Sequence, residues 1–272
     1  MALVPFPGTQ TGALKPLPDD DDDDPLVGGK MSFLEHLDEL RKRIVNACIA
    51  IGVGVVLTFA FIQKIFDFLL APTRSALPPG VKLIYTQPGE AFSLYVTVAL
   101  IAGVVVAAPF IMFQVWMFIA PGLYSNEKRM AIPFVVFTTV GFLLGASFNH
   151  YIAFPFMMKF FASFNTPDLA FMPKLEDVFG LYSKMLIGMG IVFQMPTVVY
   201  FLAKLKLITA RFLARHFKYA FLIIFVLAAV ITPTGDMMTQ AIFAAPMVGL
   251  YLLSIVVAWL VGPKTFGGGE AD

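Results

Sequence analysis

The sequence predicts an all-α integral membrane protein with six transmembrane helices, kinked by prolines, the last two short. An N-terminal amphipathic helix at the membrane interface is expected to open the fold. Three observations carry this. The chain is 58% hydrophobic and only 14% charged, with a mean hydropathy of +0.82; soluble domains carry nearer a quarter charged residues. Six apolar stretches follow one another, and prolines recur inside them at Pro109, Pro133, Pro155, Pro196 and Pro246.

Residues 1–30 are rich in Pro and Gly and contain an unbroken acidic run from Asp19 to Asp24. Such a run repels itself and is expected to stay disordered. It also lacks the positively charged start of a secretory signal. The six-span unit is assigned to 31–263, and 264–272 to a short cytoplasmic tail.

Residues 31–43, MSFLEHLDELRKR, carry helix-start signals. Ser32 can cap, with Glu35 three residues later, as in a capping box. Phe33, Leu34, Leu37, Leu40 and Ile44 recur at helical spacing. Such a helix is expected to lie in the interface before the first span. Arg41-Lys42-Arg43 suits anionic lipid, but Glu35, Asp38 and Glu39 do not.

The apolar stretches are 44–66, 94–119, 130–156, 179–203, 217–231 and 237–261. A span needs about 20 apolar residues, and the fifth falls short before Thr232-Pro233. It is read as a short true span beside thinned bilayer, with a re-entrant helix as the alternative. The last hairpin would then turn tightly at Thr232, Pro233 and Asp236. The prolines remove backbone donors and bend helices. Bent helices can build a curved wall, or reflect kinked packing alone. Cys48 lies in an apolar run and is expected as a small packing residue.

With six spans the termini share a side. Lys30, Arg41, Lys42, Arg43, Lys128, Arg129, Lys204, Lys206, Arg211, Arg215, Lys218 and Lys264 fall on that side, against Lys64, Arg74, Lys82, Lys159, Lys174 and, near a span end, Lys184 opposite. The positive-inside rule places both termini in the cytoplasm.

Two places carry polar chemistry. The loop FIAPGLYSNE, from Phe118 to Glu127, ends in a carboxylate beside Lys128-Arg129. Arg donates paired hydrogen bonds that match a carboxylate, so Glu127 can receive an arginine from outside; a solvated ion pair with Lys128 is the plainer alternative. Gln194 is the most polar residue deep in a span. It serves either an interhelical hydrogen bond or a polar spot on a cavity.

No nucleophile elbow, HExxH, Walker A or GxGxxG motif is present. Ser147 and His150 are a weak basis for an intramembrane protease, and three scattered histidines with one cysteine do not suggest a metal site. The chain is therefore not expected to be an enzyme or to carry a cofactor. A small-solute transporter would want an intramembrane ion pair or broken repeat helices, and neither is visible.

Taken in order, these segments resemble the TatC family, the multispanning core subunit of the twin-arginine (Sec-independent) protein translocase. SFLEHLDELRKR looks like the family's opening helix. Pro88-Gly89-Glu90-Ala91-Phe92 resembles its PxEAF element, and 118–129 its first cytoplasmic loop. Gln194-Met195-Pro196 and Thr232-Pro233 with Asp236, Gln240 and Pro246-Met247 resemble its fourth span and last hairpin.

The resemblance implies a receptor for twin-arginine signal peptides of folded export substrates, driven by the proton-motive force in the bacterial inner membrane. It implies signal-peptide binding by Glu127, Phe118, Glu39 and Arg41, and structural or transport-linked roles for Pro121, Leu123, Pro72 and Asp236. TatA- and TatB-like single-span subunits, membrane lipid and further copies of the chain are the implied partners; nucleic acid is not. The chain departs from the family at Gln194, where Glu is frequent, and at Leu252 after Leu250-Tyr251. A carboxylate mechanism at either place is not assigned to it.

Overall fold

The computed structural model describes residues 33–77, 81–119, 131–166, 168, 170–232 and 236–262. The acidic tail, Ser32, the segment 120–130, Pro233 and residues 263–272 lie outside the described residues. Among those described, ten α-helices follow in order with one π-helical turn.

The first helix, α1 (Phe33–Phe59), is continuous for 27 residues. The amphipathic stretch is thus the opening of the first span rather than a separate interfacial helix. Neither Gly nor Pro stands between Leu34 and Ile51 to break it. The span ends earlier than expected: Ala60-Phe61 form a turn, and α2 (Ile62–Ala76) is a separate amphipathic helix. Leu69, Leu70, Pro72, Thr73 and Ala76 bury its inner face.

The second span is α3 (Glu90–Ile119), with Pro109 inside it. The third runs through α4 (Ala131–Phe148), a π-helical turn (Asn149–Ala153) and α5 (Phe154–Ala162). Its extra backbone residue precedes Pro155 and accommodates the missing donor without ending the helix. The fourth breaks into α6 (Leu175–Val192) and α7 (Met195–Lys204) at Phe193-Gln194, with Pro196 in the first turn of α7. Proline is tolerated there because that amide has no helical acceptor.

A short helix, α8 (Ala210–Arg215), is capped by Thr209, whose side chain accepts from Phe212 N at 3.2 Å. The last hairpin is α9 (Phe217–Ile231) and α10 (Met237–Val261). Only α9 is short, at 15 residues; α10 has 25. The expectation of two short final spans is therefore corrected for the sixth, whose apolar run continues without a charge from Met237 to Val261. Gln240 Nε2 donates to Phe225 O at 2.9 Å, and Tyr251 OH to Leu213 O at 2.9 Å. Phe217 at the start of α9 also meets the Tyr251 ring, with centroids 6.0 Å apart, so with Gln240 on Phe225 the helix α9 lies antiparallel to α10. Among the described residues, five helical segments are long and apolar enough to cross a membrane, and α9 is a shorter apolar helix beside them.

One end of the bundle holds the start of α1, the ends of α3 and α7, the start of α4, and α8; we call it the terminal end. The other holds α2 and the α5–α6 connection. There Ile84 pairs with Lys174 in an isolated bridge, with Leu175 N donating to Ile84 O at 2.8 Å. The interior is filled by Val98, Met157, Met185, Met189, Phe243 and Met247, all fully buried. Methionine's flexible chain suits gaps between kinked helices. Helix α1 packs chiefly on α3. Its outer side stays uncovered, so Cys48 is exposed instead of packed.

The α1–α3 contact is close because both sides are glycine. A Cβ on Gly54 would meet Gly103 O at 2.5 Å, and one on Gly103 would meet Val55 N at 2.7 Å. We expect Gly103→Val to destabilise the protein by at least the 1–3 kcal/mol or so of ordinary overpacking, because backbone cannot yield as a side chain can. Gly52 has open space around its Cβ position, so Gly52→Ala should be neutral or slightly stabilising. Melting curves in detergent check both; equal effects would contradict the close-approach account.

Candidate functional site

At the terminal end, α1 and α3 meet through polar and aromatic rungs. Glu39 and Arg43 are four residues apart on one face of α1, the spacing at which opposite charges meet. Arg43 Nε donates to Glu39 Oε1 at 2.7 Å, and Nη2 donates to the same oxygen. Arg43 Nη1 reaches across to Gln114 Oε1 on α3 at 3.3 Å. Both charged side chains are less than one-fifth exposed, and Gln114 is buried. One turn nearer the end, the His36 ring stacks on Phe118, with centroids 4.4 Å apart.

Behind these rungs sits an aromatic cluster. Trp116 of α3, Phe134 of α4 and Phe201 of α7 are buried together, with centroids 5.0 to 6.1 Å apart. It ties the end of α3 to the start of α4. Ile119 and Ala131, which flank 120–130, are thereby both held at this end.

The structure brings Glu39 and Phe118 to one place. Arg41 is exposed on α1 and forms no ion pair among the described residues. Glu127, Pro121 and Leu123, with Lys128-Arg129, lie outside the described residues. Arg43, Gln114 and His36 were not singled out from sequence as members of this site. The Glu39–Arg43 spacing was a readable signal for the first, and a lone amide in the apolar run QVWMF for the second.

The remaining residues sit elsewhere. Gln194 stands at the α6–α7 break, where its Nε2 donates to Thr138 O at 2.9 Å and Gly190 O at 3.3 Å. Of the two readings left open from sequence, the interhelical hydrogen bond is the one seen. Asp236 caps α10, its Oδ1 accepting from Thr239 N at 2.7 Å. Pro72 is buried inside α2, and Ser75 Oγ donates to its carbonyl at 2.9 Å.

At the far end the Glu90 carboxylate accepts from Thr86 N at 2.9 Å, Gln87 N at 3.3 Å and Glu176 N at 3.1 Å. It therefore joins the start of α3 to the first turn of α6. His150 is buried, stacked on Phe68, with Nδ1 2.9 Å from Tyr182 OH. Ser147 is exposed, so the two do not pair. The amide of Asn149 beside it is fully buried and makes no hydrogen bond among the described residues. No group of three metal-ligating side chains occurs among the described residues.

The terminal end thus offers a carboxylate held in place by a guanidinium, with an aromatic face beside it. Glu39 Oε1 takes both Arg43 bonds, and Oε2 takes none among the described residues. Such a surface can accept cationic donors and apolar side chains together.

Comparisons with known proteins agree on one family. The family model described as Sec-independent protein translocase protein (TatC) matches residues 35–246. A protein of that name from Desulforapulum autotrophicum is 42% identical over 235 residues, covering 86% of this chain and 87% of the relative. One from Koribacter versatilis is 43% identical over 237 residues, with the same coverage. A solved structure described as the twin arginine translocase receptor TatC superposes with a TM-score of 0.74 at 36% identity. It covers 83% of this chain and 99% of that one.

A double-mutant cycle of Glu39→Gln and Arg43→Gln should give a coupling of about 1.5–3 kcal/mol, the range for hydrogen bonds to charged groups. Coupling near zero in unfolding measurements would mean the pair is solvated. Gln194→Leu should lower stability by about 1 kcal/mol through its lost interhelical bond; an unchanged melt would remove that role.

Proposed function

Because the chain belongs to the TatC family, a family of transport subunits rather than enzymes, we propose that it is the receptor core of a twin-arginine translocase. Its terminal end faces the cytoplasm and binds the twin-arginine signal peptides of folded proteins. The observation that carries this reading is the convergence of Glu39, Arg43, Gln114, His36 and Phe118 where α1 and α3 meet, beside both ends of 120–130. The lysines and arginines concentrated at the same end support its cytoplasmic orientation.

In this reading Glu127 receives one arginine of the motif through paired hydrogen bonds. Glu39 Oε2 is open to a second donor. Phe118, half-buried on His36, offers a ring face to apolar residues that follow the arginines. Exposed Arg41 completes the surface. Pro121 and Leu123 take structural or transport-linked roles, while Pro72 and Asp236 hold α2 and the last hairpin at the opposite end. TatA- and TatB-like single-span subunits and further copies of the chain complete the machine in the bacterial inner membrane. The proton-motive force drives export, in keeping with a sequence that has no nucleotide-binding motif.

The short α9 supports a further part of this reading. Its 15 residues span roughly 22 Å at 1.5 Å per residue, against a hydrocarbon core of about 30 Å. The bilayer beside it thins, which lowers the barrier to a crossing protein.

A fluorescent twin-arginine peptide titrated into the purified full chain tests the receptor role. Glu127→Ala should weaken binding ten- to hundredfold, the equivalent of about 1.5–3 kcal/mol, with an unchanged melting temperature. Unaltered affinity would falsify the assignment of Glu127. For orientation, single cysteines at Lys206 and at Lys82, with Cys48→Ser, should label from opposite sides of the membrane. Labelling of both from one side would contradict the six-crossing topology.

A further inference from the structure

A groove of about 540 Å³ runs along the outer side of the α1–α3 contact. Ile49, Val53, Leu57, Val106 and Phe110 give it apolar walls, and Asn46 is the polar residue that lines it. The Asn46 amide makes no hydrogen bond among the described residues. An unpaired amide at the edge of a hydrocarbon layer is costly unless something outside the chain meets it.

Lys42 lies one helical turn before Asn46, on the same stripe of α1 as Ala50, Gly54 and Leu57. It is exposed and forms no ion pair among the described residues. Side chains on a helix lean toward its N-terminus, so Asn46 leans toward Lys42 and the terminal end. A cation and an amide donor thus stand over the mouth of an apolar slot. From Asn46 to Leu57 the slot runs for roughly 16 Å at 1.5 Å per residue.

We propose that this groove holds one anionic phospholipid from the leaflet at the terminal end. Its phosphate sits on the Lys42 ammonium and the Asn46 amide, and one acyl chain lies along Ile49, Val53 and Leu57 against Val106 and Phe110. Charge complementarity favours a lipid over a partner helix here. A helix packed on the slot would cover Asn46 and bring no anion to Lys42, whereas a phosphate satisfies both. The proposal does not depend on the receptor reading, since it concerns the outer face of α1 and not the rungs that face α3.

The test uses the full chain, purified in detergent, stripped of lipid and titrated with phosphatidylglycerol or phosphatidylcholine under native mass spectrometry. The wild type should take up one phosphatidylglycerol several-fold more tightly than phosphatidylcholine. Lys42→Gln, an exposed change that removes no packing, should reduce that preference about fivefold, the usual loss for one lysine beside an anionic surface. Asn46→Leu should reduce it further, and Lys64→Gln at the opposite end should leave it unchanged. Equal uptake of both lipids, or a preference insensitive to Lys42→Gln, would overturn the site. So would efficient disulfide crosslinking of a cysteine at Ile49 to a helix of another chain in native membranes, which would make the groove a protein interface.

Discussion

The backbone contact between Gly54 and Gly103 is the constraint on which the terminal end depends. Lipid tails are as apolar as leucine, so helices in a membrane gain little by hiding apolar side chains from them. Close packing and hydrogen bonds must supply the association. Two glycines at the crossing let α1 and α3 approach until a Cβ on either would strike the other's backbone. Only at that separation do the flanking polar rungs reach. Thr58 Oγ1 donates to Ala99 O at 3.0 Å on one side, and Arg43 Nη1 meets Gln114 Oε1 at 3.3 Å on the other. Register, separation and the placement of Glu39 and Phe118 all follow from one contact between residues without side chains.

The rest of the bundle uses a related device. Gln194, Gln240, Tyr251 and Thr58 each donate to a backbone carbonyl of a neighbouring segment. A carbonyl has two lone pairs and keeps its own helical bond while accepting another. Interhelical polar contacts of this kind need no matching side chain opposite, so they tolerate kinks that shift side chains along the helix. They also explain how Gln194 holds the α6–α7 break to α4 without an ionisable group. At the opposite end, the Glu90 carboxylate performs the same service for three backbone amides. Both ends of α3 are thus fixed by polar groups to other segments, which suits a rigid receptor wall.

Much of the fold was legible because hydrocarbon imposes a simple code on sequence. Long apolar runs gave the helices, and the proline-containing positions gave the breaks and bends at Pro155 and Pro196. Hydropathy fails where an element is amphipathic or shares its apolar run with a neighbour. That is why α2 was merged with the first span: Phe61, Ile62, Ile65 and Phe66 continue the apolar pattern straight through the Ala60-Phe61 turn. The unbroken α1 was missed for the opposite reason, since a change from charged to apolar composition at Ile44 is not a helix terminus. At the candidate site, Glu39 and Phe118 were readable from family resemblance. Gln114 and His36 were not, because their importance lies in a contact across 71 or more residues of chain. Glu90 was noticed as a motif, but its hold on Glu176 N, 86 residues away, is a tertiary fact.

The α1–α3 crossing sets the positions of Glu39 and Phe118 at a distance. Gly103 lies 15 residues before Phe118 on α3, roughly 22 Å along the helix, and outside any contact with a peptide bound at the end. A photoreactive residue at Phe118 should crosslink a twin-arginine signal peptide in the otherwise native chain, and a lysine-lysine peptide far less. The same crosslink measured in Gly103→Ala, at a temperature where that variant remains folded, is the direct test. The crosslink should fall severalfold or more, because α1 moves away from α3 and the Glu39–Arg43–Gln114 and His36–Phe118 rungs part. A crosslink of native strength in folded Gly103→Ala would contradict it.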